Sequence, residues 1–168
     1  MAANAATTAV VQCRMGMVNG EYELHQPDGR LRIVGAFSQG RKTGTFIFWG
    51  PAGARNALIP YEGDAKQGTV ALWHATRDGR AEFARKLEAP YRANLLHGIK
   101  RSWYPDGTPR AEYRYEDGAL VEAHAWTRAG SMLSPDEARR QAERDAETDE
   151  RSFASLETMI ARSLPSCD

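Results

Sequence analysis

The chain has 168 residues, enough for one domain with an appendage, and a composition of 42% hydrophobic and 26% charged residues. No apolar run approaches the roughly 20 residues that a membrane-spanning helix needs, and a chain of this size needs neither a metal nor a dense disulfide framework to fold. The 22 basic and 22 acidic residues balance, which argues against a nucleic-acid binder with its usual basic excess. They are unevenly spread: segment 134–168 holds nine acidic residues and five Arg, leaving 17 basic and 13 acidic residues before it. The tail is therefore expected to pack on, or lie near, the basic front.

Residues 1–19 read as an N-terminal extension with room for a first strand. Met1 to Val11 is small and uncharged, and lacks the basic start and long apolar core of a signal peptide. It reads as the mature start of an exported protein, so the periplasm is the expected location and the cytoplasm the alternative. Cys13 and Cys167 sit near opposite ends with no metal-ligand or C-x-x-C spacing. One disulfide tying the termini is the expectation. Two unrelated thiols are the other reading.

Residues 20–130 carry an internal repeat. Four stretches open on Gly20, Gly44, Gly68 and Gly98, and each continues with an apolar or aromatic run and then a second glycine: Gly29, Gly53, Gly79 or Gly107. A degenerate fifth copy begins near Glu122. Pro27-Asp28-Gly29 and Pro105-Asp106-Gly107 are strong turn signals and Arg77-Asp78-Gly79 a weaker one, because Asp bonds its own backbone and Gly takes φ > 0 without steric cost. The flanking runs alternate: Ala111, Tyr113 and Tyr115 share one strand face, Arg110, Glu112 and Arg114 the other. Each repeat therefore predicts two strands of about six residues. Successive hairpins predict a curved antiparallel meander with one dry and one wet face. The stretch Leu87–Asn94, with Pro90 inside it, reads as an insertion that bulges from the sheet.

Residues 131–168 predict a helix that packs on the sheet. Ser134 caps it, Pro135 suits the first turn and Glu137 completes a capping box. It runs to about Ser163. Its second half has an apolar stripe of Phe153, Leu156, Ile160 and Leu164, which is the half expected to dock. The stripe lapses at Asp149 and Glu150, where a kink is expected.

The fourth copy, Gly98-IKRSWYPDGTPRAEYRYEDG, places Trp103, Tyr104, Gly107, Tyr115 and Gly118 at or near the positions of a known motif. It resembles the MORN-repeat variant of bacterial proteins over about residues 20–130. The glycine that motif would next place near Glu122 is missing. The resemblance implies a rolled or elongated sheet of hairpins. It also implies an antitoxin or immunity role, or a scaffolding role at the bacterial envelope.

No enzyme motif stands in the chain: no G-x-S-x-G, H-E-x-x-H, P-loop or G-x-G-x-x-G. The expectation is a protein that is not an enzyme and has no catalytic residue, metal or cofactor. His25 aligns with Trp49, Trp73 and Trp103 and reads as a packing replacement. His74 and His97 are scattered among different repeats, where two histidines could still meet in space because corresponding repeat positions stack. His124 beside Glu122 reads as a surface pair before an acid–base or metal pair. Phe48, Trp49, Trp73, Trp103, Tyr104, Tyr113, Tyr115 and Trp126 read as a core ladder, with a stacking platform as the alternative. The partner-binding candidates are Trp103 with Lys100, Arg110, Glu112 and Arg114 on the wet face, and Asp145, Asp149 and Glu150 on the helix, which could form an acidic plug for a basic active site. The expected partner is a cognate protein toxin or effector, with no nucleic acid and no membrane span. The protein itself is expected to be a monomer or small homo-oligomer.

Overall fold

The computed structural model describes residues 6–75 and 84–168. Its strands are β1 (Thr8–Arg14), β2 (Met17–His25), β3 (Leu31–Ser38), β4 (Arg41–Trp49), β5 (Arg55–Glu62), β6 (Ala65–Lys66), β7 (Gly68–Trp73), β8 (Arg85–Arg92), β9 (Leu95–Leu96), β10 (Gly98–Trp103), β11 (Pro109–Glu116) and β12 (Ala119–Ala125). They form one antiparallel sheet in the order β1-β2-β3-β4-β5-β7-β8-β10-β11-β12, with β6 paired to β5 and β9 to β8. The meander is open, with edges at β1 and β12. One helix, α1 (Pro135–Ser163), follows.

Alternation sorts the side chains onto two faces. On the inner face a cross-strand row runs Ala9, Leu24, Ile33, Phe48, Ala57, Leu72, Leu87, Ser102, Ala111, Ala125. Tyr22, Phe46, Ile59 and Val70 stand beside that row and are fully buried. Phe46 packs edge-on against Phe37 and Tyr61. Its ring lies where a Cβ on Gly35 would fall, 2.4 Å away, so Gly35 is a packing requirement.

The turns follow the sequence signals. Gly29 and Gly107 take φ of 85° and 86°, in loops closed by Gly29 N–H to Gln26 O and Gly107 N–H to Tyr104 O. The turn at Arg77-Asp78-Gly79 lies outside the described residues. The 87–94 stretch does not bulge: it is mostly strand β8, fully inside the sheet. The added residues fall earlier. Arg85 pairs with Trp73 across twelve positions, whereas Arg55 pairs with Trp49 across six. The fifth copy starts at Val121, next to Glu122, since Ala125 pairs with Ala111 as Leu72 pairs with Ala57, after a register shift between Arg114 and Tyr115. That shift sets Trp126 in line with Trp49, Trp73 and Trp103.

α1 crosses the inner face from β12 to β1. Its 29 residues at about 1.5 Å each match the width of ten strands spaced about 4.8 Å apart, roughly 43 Å in both cases. Ser134 caps it: its Oγ accepts from Glu137 N–H at 3.3 Å, and Glu137 Oε2 accepts from Ser134 N–H at 3.0 Å. The helix is continuous through Asp149 and Glu150, so the expected kink is absent. Both halves dock. Ala138 and Ala142 pack on Ala111, Tyr113, Tyr115 and Ala125, while Phe153 and Ile160 join the larger core cluster. Each of those two large side chains contributes about 2 kcal/mol by burial. The far end is tied down by a disulfide from Cys13 of β1 to Cys167, with Cα atoms 5.6 Å apart.

Candidate functional site

The fourth repeat departs from the other three at its core positions. Counting from the opening glycine, Lys100 stands where the others carry Tyr22, Phe46 and Val70, and Ser102 where they carry Leu24, Phe48 and Leu72. Both are buried on the inner face, Lys100 to 2% exposure. The expectation that Lys100 lies on the wet face is therefore wrong. Its alternation partners are Ser102 on the same strand and Tyr113 across the pair, both inward. A charge tolerates that position only because α1 delivers Asp149, whose carboxylate pairs with the Lys100 ammonium.

Beside it, Arg110 grips Asp145 with both guanidinium nitrogens, at 2.6 and 2.8 Å. Tyr113 Oη donates to the same carboxylate at 2.7 Å, and Gln141 Nε2 donates to Tyr113 Oη at 3.2 Å. Burial, then the Asp145 carboxylate, push the Tyr113 phenol well above its ordinary pKa. The hydrogen bonds to Asp145 hold Arg110 above its ordinary pKa. Arg110 also leaves the wet face. It is the extra residue of a β-bulge, between Trp103↔Pro109 and Ser102↔Ala111, and the bulge lets it reach the helix. Asp145 and Asp149 thus face the sheet, each held by a sheet cation, while Glu150 stays on the flank of α1 beside Lys66 and Glu157. Ser102 Oγ is buried with no hydrogen-bond partner. It lines a hollow of about 410 Å³ between α1 and the turn ends of β8, β10 and β11.

Among the described residues, no helix or further strand covers the outer face. Its central row runs Val10, Glu23, Val34, Ile47, Leu58, Ala71, Glu88, Arg101, Glu112, His124. The middle is apolar and the β8–β12 end is charged with alternating sign. Glu112 sits there, 3.4 Å from Arg101, and Arg114 bonds Glu116 at 2.9 Å and approaches Glu122 at 3.5 Å. His124 and Glu122 form an exposed pair at 2.8 Å. Trp49, Trp73, Trp103 and Trp126 stand half-buried one step past the inner row, so of the aromatics read as a core ladder only Phe48, Tyr113 and Tyr115 are fully interior. Arg85 lies 4.7 Å from the Trp73 ring centre. A hollow of about 660 Å³ opens at the charged end, lined by Arg101, Trp103, Glu112, Trp126 and Arg128.

The structure thus groups Trp103, Glu112 and Arg114 on or beside the outer face, and Lys100, Arg110, Asp145 and Asp149 in a polar seam beneath the helix. Arg101, Glu88 and Trp126 were missed as members of the outer group; the cross-strand register is the signal that finds them. Among the described residues, no three of His, Cys, Asp and Glu are gathered as metal ligands. No protein-family model matches the chain, and neither does any curated protein or solved structure compared with it.

Proposed function

We propose that this protein is a non-catalytic binding protein that engages a protein partner through the outer face of its sheet. The observation that carries the reading is the charged end of that face. There the half-buried Trp103 and Trp126 flank a hollow beside Arg101 and Glu112 of the open face, a hollow that Ser102 and Ala111 of the inner row also line. Tryptophan and arginine around a partly dry depression are the residue types that dominate protein–protein binding energy. Alternating charges next to them supply orientation and discrimination rather than bulk affinity.

The resemblance of the repeat to MORN variants supports a partner of toxin or effector type, neutralised by stoichiometric complex formation. The Cys13–Cys167 bond supports an oxidising compartment, which in a bacterium is the periplasm. The open edges at β1 and β12 favour a second reading, in which copies or envelope components add strands edge to edge as a scaffold.

A growth assay separates the two. Co-expression with the toxin should protect cells when the wild-type chain is present and fail with Trp103→Ala/Arg101→Glu. Equal protection by both forms, or none by either, rejects the outer face as a neutralising surface.

A further inference from the structure

The hairpins repeat one irregularity. Each gains an extra residue on its second strand at the same register: Arg32 between Leu31 and Ile33, then Asn56, Lys86 and Arg110 in turn. A bulge re-aims its side chain, and here all four line or reach the same flank of α1. Arg32 lines a hollow with Ser155 and Arg162. Asn56 and Lys86 line a second with Thr148 and Arg151. Lys86 and Arg110 line the third, with Arg128 and Ser102. The first two hollows share Ser155; the second and third share His74, Lys86 and Thr148. They form one groove, with volumes of about 520, 560 and 410 Å³ along its length.

The groove is strongly one-signed. Seven cations line it against two carboxylates, Asp145 and Asp149, and both carboxylates are already engaged by Arg110 and Lys100. Among the described residues, Lys86, Arg128, Arg151 and Arg162 make no ion pair. The opposite flank of α1 is nearly balanced: Glu150 and Glu157 stand there with Asp149, against Lys66 and Lys100. The groove also holds two buried polar atoms without partners, Asn56 Oδ1 and Ser102 Oγ. An amide oxygen needs a donor, which a bare anion does not provide.

We propose that this groove binds an extended acidic peptide segment. Such a chain brings carboxylates to Lys86, Arg128 and Arg151, and backbone N–H groups to Asn56 Oδ1 and Ser102 Oγ. The groove meets the surface assigned above at Ser102, Trp103 and Arg128, which line the hollows of both, so its test rests on Lys86, Arg151 and Asn56, which line the groove alone.

The test is fluorescence anisotropy with a labelled peptide of alternating Glu and Gly, against its Lys–Gly counterpart, and with inorganic polyphosphate as competitor. Saturable binding of the acidic peptide is expected, with none of the basic one. Lys86→Glu/Arg151→Glu should weaken it about tenfold or more, as lost charge pairing predicts. Asn56→Ala should weaken it while leaving the salt dependence unchanged. Glu150→Lys, on the other flank, and Arg101→Glu, on the outer face, should bind like wild type. Absence of saturable binding overturns the proposal. So does equal binding by the groove variant, given an unchanged melting curve. Complete displacement by polyphosphate with no effect of Asn56→Ala would make the groove a general polyanion site and overturn the peptide assignment.

Discussion

Lys100 of β10 and Asp149 of α1 form a buried ion pair at a position where the three preceding repeats carry Tyr22, Phe46 and Val70. The pair fixes where the helix lies across the sheet, since four-residue steps along α1 bring Asp145, Asp149, Phe153 and Glu157 to successive sheet partners: Arg110, Lys100, Tyr91 and Tyr61. Removing one member strands the other. Asp149→Ala is expected to lower stability by about 3 kcal/mol in urea denaturation. Lys100→Val/Asp149→Leu should recover most of that loss, because an apolar pair of similar volume replaces an ion pair with little net change. Additive losses in the double variant would show that the two residues do not act as a pair.

Ser102→Ala should raise stability by about 1 kcal/mol, since it deletes a buried hydroxyl that has no partner. Chemical denaturation reads this directly. A loss instead would mean that a bound water or ligand satisfies the Oγ.

Gly35→Ala should destabilise by about 2 kcal/mol or more, because its Cβ meets the Phe46 ring at 2.4 Å in a close-packed core. The loss should shrink in the background of Phe46→Leu, with a coupling of about 1 kcal/mol in a double-mutant cycle.

The disulfide joins residues 154 positions apart and holds the helix end to the edge strand. Its loss in Cys13→Ser/Cys167→Ser should lower stability by about 3–5 kcal/mol. Hydrogen exchange should then accelerate first in the last turns of α1 and in β1. Uniform acceleration would contradict a local clamp.

Alkaline pH should unfold the protein through its tyrosines. Burial raises Tyr22, Tyr61, Tyr91 and Tyr113 above the ordinary value of 10.0, and pushes Tyr115 up to about 12. The folded state keeps these protons when the unfolded state has lost them. The stability they contribute is full below pH 10 and declines as pH rises from there toward the folded values. Each such group removes up to about 1.4 kcal/mol per pH unit. Phenolate absorbance should rise together with loss of β-sheet circular dichroism. Phenolate formation well before unfolding would contradict the burial.

Much of this fold is legible in the residues. Glycine spacing marks the hairpins, Pro27-Asp28-Gly29 and Pro105-Asp106-Gly107 the turns, and Ser134-Pro135-Asp136-Glu137 the helix start. The face of Lys100 is not legible from charge, since a lysine reads as solvent-facing until a carboxylate on a remote helix is known to meet it. The same holds for α1. The stripe lapses at Asp149 and Glu150, and Asp145, Asp149 and Glu150 read as one acidic face, yet Asp145 and Asp149 touch the sheet. The bulges are also hidden, because an extra residue in a strand leaves no compositional trace. They decide where Arg110, Lys86, Asn56 and Arg32 point.

The central claim is that the outer face binds one protein partner. Native pull-down of the tagged wild-type chain beside Trp103→Ala/Glu112→Lys, with quantitative mass spectrometry of both eluates, tests it most directly. The account predicts one protein recovered in stoichiometric amount with the wild type and lost with the variant. Recovery of no partner, or of the same partner by both chains, would contradict it.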